Sequence, residues 1–314
     1  MTIVFKLSDN LKDKVINYYK DMCKEKTPPY AVFQAVECDT VITLYESGKI
    51  MFQGISADID ANIWIDLERS KNNRIIDING KEKDKKDKKD ENIKTYFNIN
   101  TIGSDEVGTG DYFGPIVVSA SFVAKEHFSL LYDLGVKDSK KLTDDKIKKI
   151  APELMKHIPY VTIILDNKSY NEHYSEDINM NKIKAILHNK ALISLIKKDN
   201  YNYEKIIVDQ FVYPKKYYEH IAKSPEKVKN ITFTTKAEDK CYAVAVASII
   251  SRYVFLAKMQ ELNEKMQMEL PKGAGIIVDE VGAEIVKKHG IDILKDIAKT
   301  NFKNTEKIKE ALKK

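Results

Sequence analysis

The segment at residues 102–115, which reads IGSDEVGTGDYFGP, constrains this chain more than any other stretch. Adjacent side chains of a flat strand point to opposite faces, so Asp105 and Glu106 converge on one point only if the backbone bends there. The glycines around the pair supply backbone conformations that other residues resist. A bent strand with two carboxylates indicates a site for a hard cation such as Mg²⁺. A surface turn rich in Gly and Asp is the alternative.

Composition and length indicate a soluble protein with two domains, because 314 residues are many for one hydrophobic core. A net charge of +5 permits an anionic partner such as nucleic acid without requiring one. The three cysteines include no CxxC pair, so neither a disulfide framework nor a zinc knuckle is expected. The sequence shows neither a signal peptide nor an apolar run near the about 18 residues that span a membrane. We therefore expect a cytoplasmic monomer with no membrane partner.

Residues 1–78 have the pattern of a small α+β domain. The predicted elements are a strand, a helix, a meander of about three strands and a second helix, at Thr2–Leu7, Asn10–Cys23, Tyr30–Gly54 and Ala57–Ser70. One face of the meander is apolar and is expected to meet the helices, through Ile42, Leu44, Ile50 and Phe52. The opposite face carries Thr43, Tyr45, Lys49, Met51 and Gln53. Tyr45 and Lys49 could bind a polynucleotide backbone, although any antiparallel sheet has one solvated face.

A charged segment separates this domain from the rest of the chain. Residues 80–92 contain no side chain that could pack in a core, which predicts a flexible linker over 79–95. From residue 96 to 314 strands alternate with helices, the pattern of a mixed α/β domain. The predicted strands are Ile116–Val123, Tyr160–Leu165, Lys205–Asp209 and Thr232–Thr234. The predicted helices are Asp144–His157 with Thr143 as its N-cap, Asn181–Lys198, Ala237–Met266 and two or three short ones after Gly282.

Further carboxylates mark possible chemistry at the ends of apolar strands. Asp209 follows a buried run, and functional groups gather at the carboxyl ends of strands in open α/β sheets. Asp166 shows the same pattern, so these residues alone do not choose between the two. Glu238 completes Thr235-Lys236-Ala237-Glu238, which fits a capping box ahead of an apolar helix and gives the glutamate a structural role as well. Asp279 follows a strand-like Ile-Ile-Val run and could be a carboxylate that supports the metal ligands. It could equally cap the helix after Gly282, and this structural role is the favoured interpretation.

The segment 103–115 resembles the signature of type 2 ribonucleases H, and in detail that of the ribonuclease HIII group. Supporting motifs follow in the same order along the chain, over about residues 98 to 300. They are Asp138-Ser139-Lys140-Lys141-Leu142, Val208-Asp209-Gln210-Phe211, Thr235-Lys236-Ala237-Glu238, the run at 245–253, Leu270-Pro271-Lys272-Gly273-Ala274-Gly275 and Val278-Asp279. The glycine-flanked pair alone is moderately specific, whereas the ordered set is highly specific.

This resemblance implies a ribonuclease H-like catalytic domain and, by position and pattern, an N-terminal domain similar to TATA-box binding protein. It implies metal-dependent cleavage of the RNA strand of RNA–DNA hybrids, with Mg²⁺ or Mn²⁺ as cofactor. The family's acidic set matches Asp105, Glu106, Asp209 and Glu238, of which the first three are the expected metal ligands. Asp166 falls outside the motifs, so only a structural role is expected for it.

Substrate contacts are also implied by the resemblance. Gly108, Thr109 and Gly110 are expected to approach the sugar that carries the 2′-hydroxyl, the group that distinguishes RNA from DNA. Ribonuclease HII relatives have arginine where Thr109 stands, which predicts poor activity at a single embedded ribonucleotide. Lys140 and Lys141 are candidate phosphate contacts, although solvated lysines are the simpler interpretation. His188 is interpreted as a packing histidine.

Two other classes of protein remain as alternatives. One is a non-catalytic nucleic-acid-binding protein that retains the fold, although every acidic position of the family set is filled. The other is a nucleotide-binding enzyme that uses the glycine loop on phosphates. The GxGxxG order and a following helix are missing for it, because an apolar strand follows the loop.

Overall fold

The computed structural model describes residues 2–37, 40–54, 57–72, 74, 76, 95–136 and 142–313. The chain divides into two compact units, Met1–Ile93 and Lys94–Lys314. The predicted linker 79–95, apart from residue 95, lies outside the described residues. Lys140 and Lys141 also lie outside them.

The first unit is a four-stranded antiparallel sheet with two helices. Its elements are β1 (Thr2–Lys6), α1 (Asp9–Tyr19), β2 (Ala31–Glu37), β3 (Thr40–Tyr45), β4 (Lys49–Gly54) and α2 (Ala57–Asn72). The strand order is β1-β4-β3-β2. Every element predicted for this region is present, with bounds that differ by a few residues.

The alternating pattern of β3 and β4 builds the core of this unit. The four residues expected to face the helices are each at most 1% exposed: Ile42, Leu44, Ile50 and Phe52. Lys49 and Gln53 are exposed on the opposite face, as predicted. Thr43, predicted on that solvated face, is instead buried, because Gln34 of the neighbouring strand covers it and donates from Nε2 to its Oγ1 at 3.1 Å.

The second unit has a five-stranded mixed sheet surrounded by helices. Its strands are β5 (Thr101–Val107), β6 (Ile116–Val123), β7 (Tyr160–Leu165), β8 (Lys205–Asp209) and β9 (Ile231–Thr234). Its helices are α3 (Phe128–Asp133), α4 (Asp144–His157), α5 (Asn167–His173), α6 (Met180–Ile196), α7 (Pro214–His220), α8 (Tyr242–Met266), α9 (Ile276–His289), α10 (Leu294–Ile297) and α11 (Lys303–Ala311). The order is β7-β6-β5-β8-β9, with β5 antiparallel to β6 and parallel to β8.

Helices α8 and α6 pack on the sheet and bracket its central strand, β5. The small residues of α8 allow a close approach: a Cβ on Gly103 would lie 2.5 Å from the backbone nitrogen of Val244. Helix α8 is long and apolar enough to cross a membrane, but most of its apolar stretch is buried inside the unit. It is therefore the core helix of this domain, and its close contact with Gly103 sets the distance between the helix and β5.

The C-terminal part differs from the prediction in one place. The run Ile276–Val278, predicted to be strand-like, forms the first turn of α9, and Ile276 and Ile277 are largely exposed. A strand there would leave these residues without sheet partners. The helix instead directs the carboxylate of Asp279 toward α11. Asp279 Oδ1 accepts from Asn304 Nδ2 at 2.5 Å and so ties α9 to α11. The predicted cap of a helix after Gly282 is wrong, because α9 already begins at Ile276 and Asp279 lies in its first turn.

Candidate active site

Asp105 and Glu106 lie on opposite faces of β5. The strand pairs regularly with β6 through both residues, with Asp105 opposite Ser119 and Glu106 opposite Val118. The predicted bend at the pair is therefore wrong, because a continuous ladder keeps the alternation of side chains. The chain turns only afterwards, at Gly108, whose φ is +96°. Asp105 faces α8, and Glu106 faces α6.

Asp105 is fixed by residues of α8. The Ser248 side chain hydrogen-bonds its carboxylate, and Ser251 Oγ donates to its backbone oxygen at 3.1 Å. Burial raises the pKa of Asp105 well above its usual range, and the nearby carboxylates of Glu106 and Asp209 raise it further. The protein alone therefore leaves negative charge at this position poorly compensated.

Asp209 lies beside Asp105 on the α8 face. The parallel register pairs Ser104 with Val208, so one further step along both strands brings the two aspartates together. The backbone amide of Ala237 donates to Asp209 Oδ1 at 2.8 Å. Burial raises the pKa of Asp209, the Ala237 amide opposes that shift, and the charges of Glu238 and Glu106 raise the pKa further.

Glu238 reaches this cluster from a short turn that precedes α8. The predicted continuous helix from residue 237 is wrong: Ala237–Asp239 form one 3-10 turn, and α8 begins at Tyr242. The predicted capping box is also wrong, since Lys236 adopts a left-handed conformation (φ +52°) that turns the chain after Thr235. The Asp209 carboxylate caps this turn instead. Glu238 thus joins the cluster through the turn that Asp209 caps.

Glu106 is held at both carboxylate oxygens by helix α6. Lys184 Nζ lies 2.5 Å from Oε1, and His188 Nε2 lies 2.8 Å from Oε2. Burial alone would raise the pKa of Glu106, but the charge of Lys184 and the contacts with His188 outweigh it and lower the pKa below the usual range. This carboxylate is therefore ionised and already has a cationic partner within the protein.

His188 and Lys184 are the functional residues that the sequence interpretation missed. His188 is fully buried, and its Nδ1 lies 2.8 Å from Ser104 Oγ, so it does more than pack a helix. The ring of Phe211 stacks on His188 and also lies under the Lys184 ammonium, at 4.1 Å from its centre. The available signal was the spacing of Lys184 and His188, which places both on one side of a helix.

Asp166 does not belong to the cluster. It is the N-cap of α5, where Oδ1 accepts from the Ser169 amide at 2.8 Å. The structural role expected for it is therefore correct, and the tie between Asp166 and Asp209 is resolved by geometry as well as by motif.

The carboxylates suit a hard cation by their chemistry but do not converge as a set. Oxygen donors of Asp and Glu are the ligands that Mg²⁺ and Mn²⁺ prefer. Among the described residues, no three His, Cys, Asp or Glu side chains come close enough to hold an ion between them. The reason lies in β5, since Glu106 points to α6 while Asp105 and Asp209 point to α8. The poorly compensated charge at the two aspartates is the feature that a divalent cation would relieve.

The glycine-rich loop connects β5 to β6 as a hairpin. A Cβ on Gly108 would lie 2.1 Å from the Pro115 carbonyl oxygen, so this position requires glycine at the base of the loop. Gly110 is exposed, and no atom lies within 4 Å of where its Cβ would be. Thr109 lies between them, half-buried. The loop thus presents open backbone next to the strand that carries Asp105 and Glu106.

The first unit carries a separate surface feature around the predicted Tyr45 and Lys49. An open cavity of about 460 Å³ lies at the ends of its strands and is lined by Tyr30, Tyr45, Glu46, Ser47 and Lys49. Tyr30 is 79% exposed. Aromatic rings beside a lysine on an exposed surface are suited to contact with a nucleic-acid strand.

Comparison with known proteins gives full-length matches. A family model described as ribonuclease HII matches residues 102–305, and a domain of unknown function (DUF3378) matches residues 2–74. Ribonuclease HIII of Bacillus licheniformis is 40% identical over 98% of this chain and 97% of its own length. Ribonuclease HIII of Geobacillus kaustophilus is also 40% identical, over 97% of this chain and 96% of its own.

Solved structures agree with these matches. The crystal structure of Bst-RNase HIII in complex with Mn²⁺ aligns with a TM-score of 0.69 and 36% identity, covering 100% of this chain and 99% of that one. The fold and the family that the ordered motifs implied are confirmed by these matches.

Proposed function

This chain belongs to the ribonuclease HII family, in which its full-length relatives are ribonucleases HIII, and on that premise we propose that it hydrolyses the RNA strand of RNA–DNA hybrids at Asp105, Glu106, Asp209 and Glu238. The observation that carries this proposal is the cluster on the α8 face. Asp105 and Asp209 both have pKa values raised first by burial and then by neighbouring carboxylates. Negative charge concentrated in this way is the electrostatic counterpart of a divalent-cation site.

Asp105 and Asp209 would hold the metal on the α8 face, Glu106 is proposed as the third ligand from the opposite face of β5, and Glu238 would complete the acidic set. Bound divalent ions supply an activated water and stabilise the oxygen that leaves the phosphorus. The protein's own contribution is rigidity. Ser248 and Ser251 fix Asp105, the Ala237 amide fixes Asp209, and α6 fixes Glu106. We propose Mg²⁺ or Mn²⁺ as the cofactor, and the solved Mn²⁺ complex of a 36% identical relative supports this choice.

Substrate selection is assigned to the hairpin loop. Because Gly110 is exposed and unobstructed, the backbone of Thr109 and Gly110 can approach a ribose closely. The 2′-hydroxyl both donates and accepts hydrogen bonds, so backbone groups of either kind can recognise it. Thr109 offers no long cationic side chain to a lone ribonucleotide, which is the basis for proposing a requirement for several consecutive ribonucleotides.

The N-terminal unit is proposed to add affinity for the hybrid. Its exposed sheet face offers Lys49 next to Tyr45, and neither residue belongs to the acidic cluster. Lys140 and Lys141 are proposed as further phosphate contacts on motif resemblance alone. We further propose that the enzyme acts as a monomer in the cytoplasm, where RNA–DNA hybrids occur.

One experiment tests the activity and its selectivity together. The full chain is assayed with Mg²⁺, Mn²⁺ or EDTA on an RNA–DNA hybrid, on a DNA duplex with one ribonucleotide, and on RNA alone. We expect metal-dependent cutting of the hybrid, much slower cutting of the single ribonucleotide and none of RNA alone. Binding of the hybrid without cutting would favour the non-catalytic alternative. Equal cutting of the first two substrates would overturn the role given to Thr109.

A further inference from the structure

A buried lysine outside the acidic cluster holds the hairpin loop from behind. Lys299 has no exposed surface. Its Nζ donates to the backbone oxygens of Asp111, at 2.7 Å, and of Gly114, at 2.6 Å. Burying an amino group is costly, and an apolar side chain would fill the same space at a lower cost. The benefit of lysine here is therefore the pair of hydrogen bonds to the loop.

The main chain around Lys299 strengthens the same attachment. The Lys299 amide donates to the Tyr112 oxygen at 2.9 Å, and the Gly114 amide donates to the Ile297 oxygen at 3.0 Å. A second side chain reaches the same carbonyl, since Asn167 Nδ2 donates to the Gly114 oxygen at 2.8 Å. The second half of the loop is thus fixed by backbone and side-chain contacts together.

The first half of the loop is held at its base. Gly108 lies against Pro115, where β6 is about to begin, and leaves no room for a side chain. Thr109 and Gly110 therefore connect two anchored points, Gly108 and Asp111. Fixing the Asp111 carbonyl at one end and Gly108 at the other limits where the intervening peptide groups can lie, because each residue has only two soft backbone angles.

We propose that Lys299 is a positioning residue for ribose selection. By holding the carbonyls of Asp111 and Gly114, it fixes the backbone of Thr109 and Gly110 at the distance at which it contacts the 2′-hydroxyl of the RNA strand. This inference rests on the proposed function, in which the loop recognises the sugar. It assigns a specificity role to the C-terminal segment, residues 290–313, which carries none of the four proposed catalytic carboxylates.

The test compares the full-length enzyme with Lys299→Met, which keeps most of the length of the side chain and loses the donors. The substrates are a DNA duplex with a short RNA tract and the same duplex with 2′-deoxyribose at each position of the tract in turn. The measured quantity is the ratio of kcat/KM between the intact and the substituted tract. In the wild type, one position of the tract will show the largest ratio. We expect the ratio at that position to fall about tenfold in Lys299→Met, the factor that weakening one hydrogen bond produces.

Two further measurements separate positioning from general damage. Mn²⁺ affinity, measured by calorimetry, is expected to be unchanged in Lys299→Met because Asp105 and Asp209 are untouched. Thr305→Val is the matched control: it removes another buried bond between the C-terminal segment and the loop, Thr305 Oγ1 to Tyr112 OH at 2.8 Å. It is expected to lower the melting temperature without changing the ratio.

Asn167→Ala provides a second route if Lys299→Met fails to fold, because it removes a donor from the same Gly114 carbonyl. Its ratio is expected to fall in the same direction by a smaller factor.

An unchanged ratio in the folded Lys299 variant, or in Asn167→Ala where that variant is needed, would overturn the inference. A wild-type enzyme that cleaves the RNA tract but shows no sensitivity to 2′-deoxyribose would overturn the loop's role in sugar recognition. A wild-type enzyme that does not cleave at all would instead contradict the proposed function.

Discussion

His188 and Glu106 are joined by a contact of 2.8 Å between Nε2 and Oε2. The other ring nitrogen of His188 lies 2.8 Å from Ser104 Oγ. Ser104 and Glu106 are two positions apart on β5, so their side chains leave the strand on the same face and one buried ring spans both. Lys184, one helical turn earlier on α6, takes the second oxygen of Glu106. One helix therefore controls both the orientation and the charge of this carboxylate.

Replacing Lys184 by Met is expected to lower kcat on an RNA–DNA hybrid about ten- to a hundredfold, the usual effect of losing a residue that orients a metal ligand. The physical reason is that Glu106 loses its cationic partner and one of its two anchors. KM is expected to change less, because the Lys184 side chain is largely buried and its ammonium is paired with Glu106. Steady-state kinetics with saturating Mn²⁺ measures both constants.

Lys182→Met is the matched control for this prediction. Lys182 lies on the same helix, is half-buried, and its side-chain Nζ donates to the backbone oxygen of Asp177 at 3.1 Å. Lys184→Arg should recover part of the activity because it restores a positive charge. Equal kcat values for the Lys184 and Lys182 methionine variants would show that Glu106 does not need this partner.

Asp209→Asn is expected to abolish nearly all cleavage while leaving the protein folded, and Asp105→Asn is expected to do the same. Both aspartates have pKa values raised by burial and by neighbouring carboxylates, so a neutral amide relieves repulsion and should leave the melting temperature unchanged or higher. The comparison is Asp166→Ala, at another strand end. It removes the N-cap of α5, costs about 1 kcal/mol of unfolding free energy and should retain activity. Near-normal cleavage by either asparagine variant would remove that residue from the metal site.

Local signals in the sequence were sufficient for most of the secondary structure. The N-cap at Thr143 is present, with its side chain accepting from the Lys146 amide at 3.3 Å, because this contact involves residues three apart. The apolar strand Ile116–Val123 is fully buried and has the predicted bounds. Asp209 was likewise predictable as a strand-end carboxylate, although only the motif distinguished it from Asp166.

Contacts between distant residues account for what the sequence did not predict. The break before α8 depends on Asp209, which takes the amide of Ala237 from 28 positions away. The side of β5 on which Glu106 lies depends on the pairing of β5 with β6. The partners of Glu106 come from α6, far away in the sequence. Lys299 had no local signal, since the groups it contacts lie in a loop more than 180 residues earlier.

Gly103 and Gly110 are expected to respond in opposite ways to alanine. A methyl group on Gly103 would lie 2.5 Å from the Val244 nitrogen, and the backbone of α8 cannot move away without opening the core. Gly103→Ala should therefore lower the free energy of unfolding by about 3 kcal/mol or prevent folding. A methyl group on Gly110 meets no protein atom, so Gly110→Ala should change stability by less than about 0.5 kcal/mol.

The same Gly110 variant is expected to lose activity on the hybrid, because its methyl group projects into the space that the sugar would occupy. Chemical denaturation gives the two stabilities, and kcat/KM gives the catalytic effect. Unchanged kcat/KM in Gly110→Ala would argue against close approach of substrate at this position.

The stability of the protein should depend on pH through Lys299. Burial lowers the pKa of Lys299 in the folded protein to about 7, partly opposed by the Asp111 charge, against 10.5 in the unfolded chain. Between these values the unfolded state binds more protons, so the unfolding free energy contributed by Lys299 rises with pH, by at most about 1.4 kcal/mol per pH unit. Below pH 7 both states are protonated and the cost of burial is complete.

Denaturation of wild type and Lys299→Met at several pH values between 7 and 9 isolates this contribution, because other titrating groups are common to both proteins. We expect the wild type to gain stability relative to the variant as the pH rises. A constant difference across this range would mean that the folded-state pKa of Lys299 is not lowered.

Lys49→Ala is expected to weaken hybrid binding without changing kcat. Lys49 is exposed on the sheet face opposite the helices of the N-terminal unit, where it borders the cavity next to Tyr45. A lysine that contacts a phosphate adds about one unit to the slope of log affinity against log salt concentration, so this slope should fall by about one in the variant. Lys14→Ala on α1 is the control, because it removes an equal charge from the helical side of the same unit. If both variants reduced the slope equally, binding would reflect the net charge of the unit, and the exposed sheet face would have no specific role.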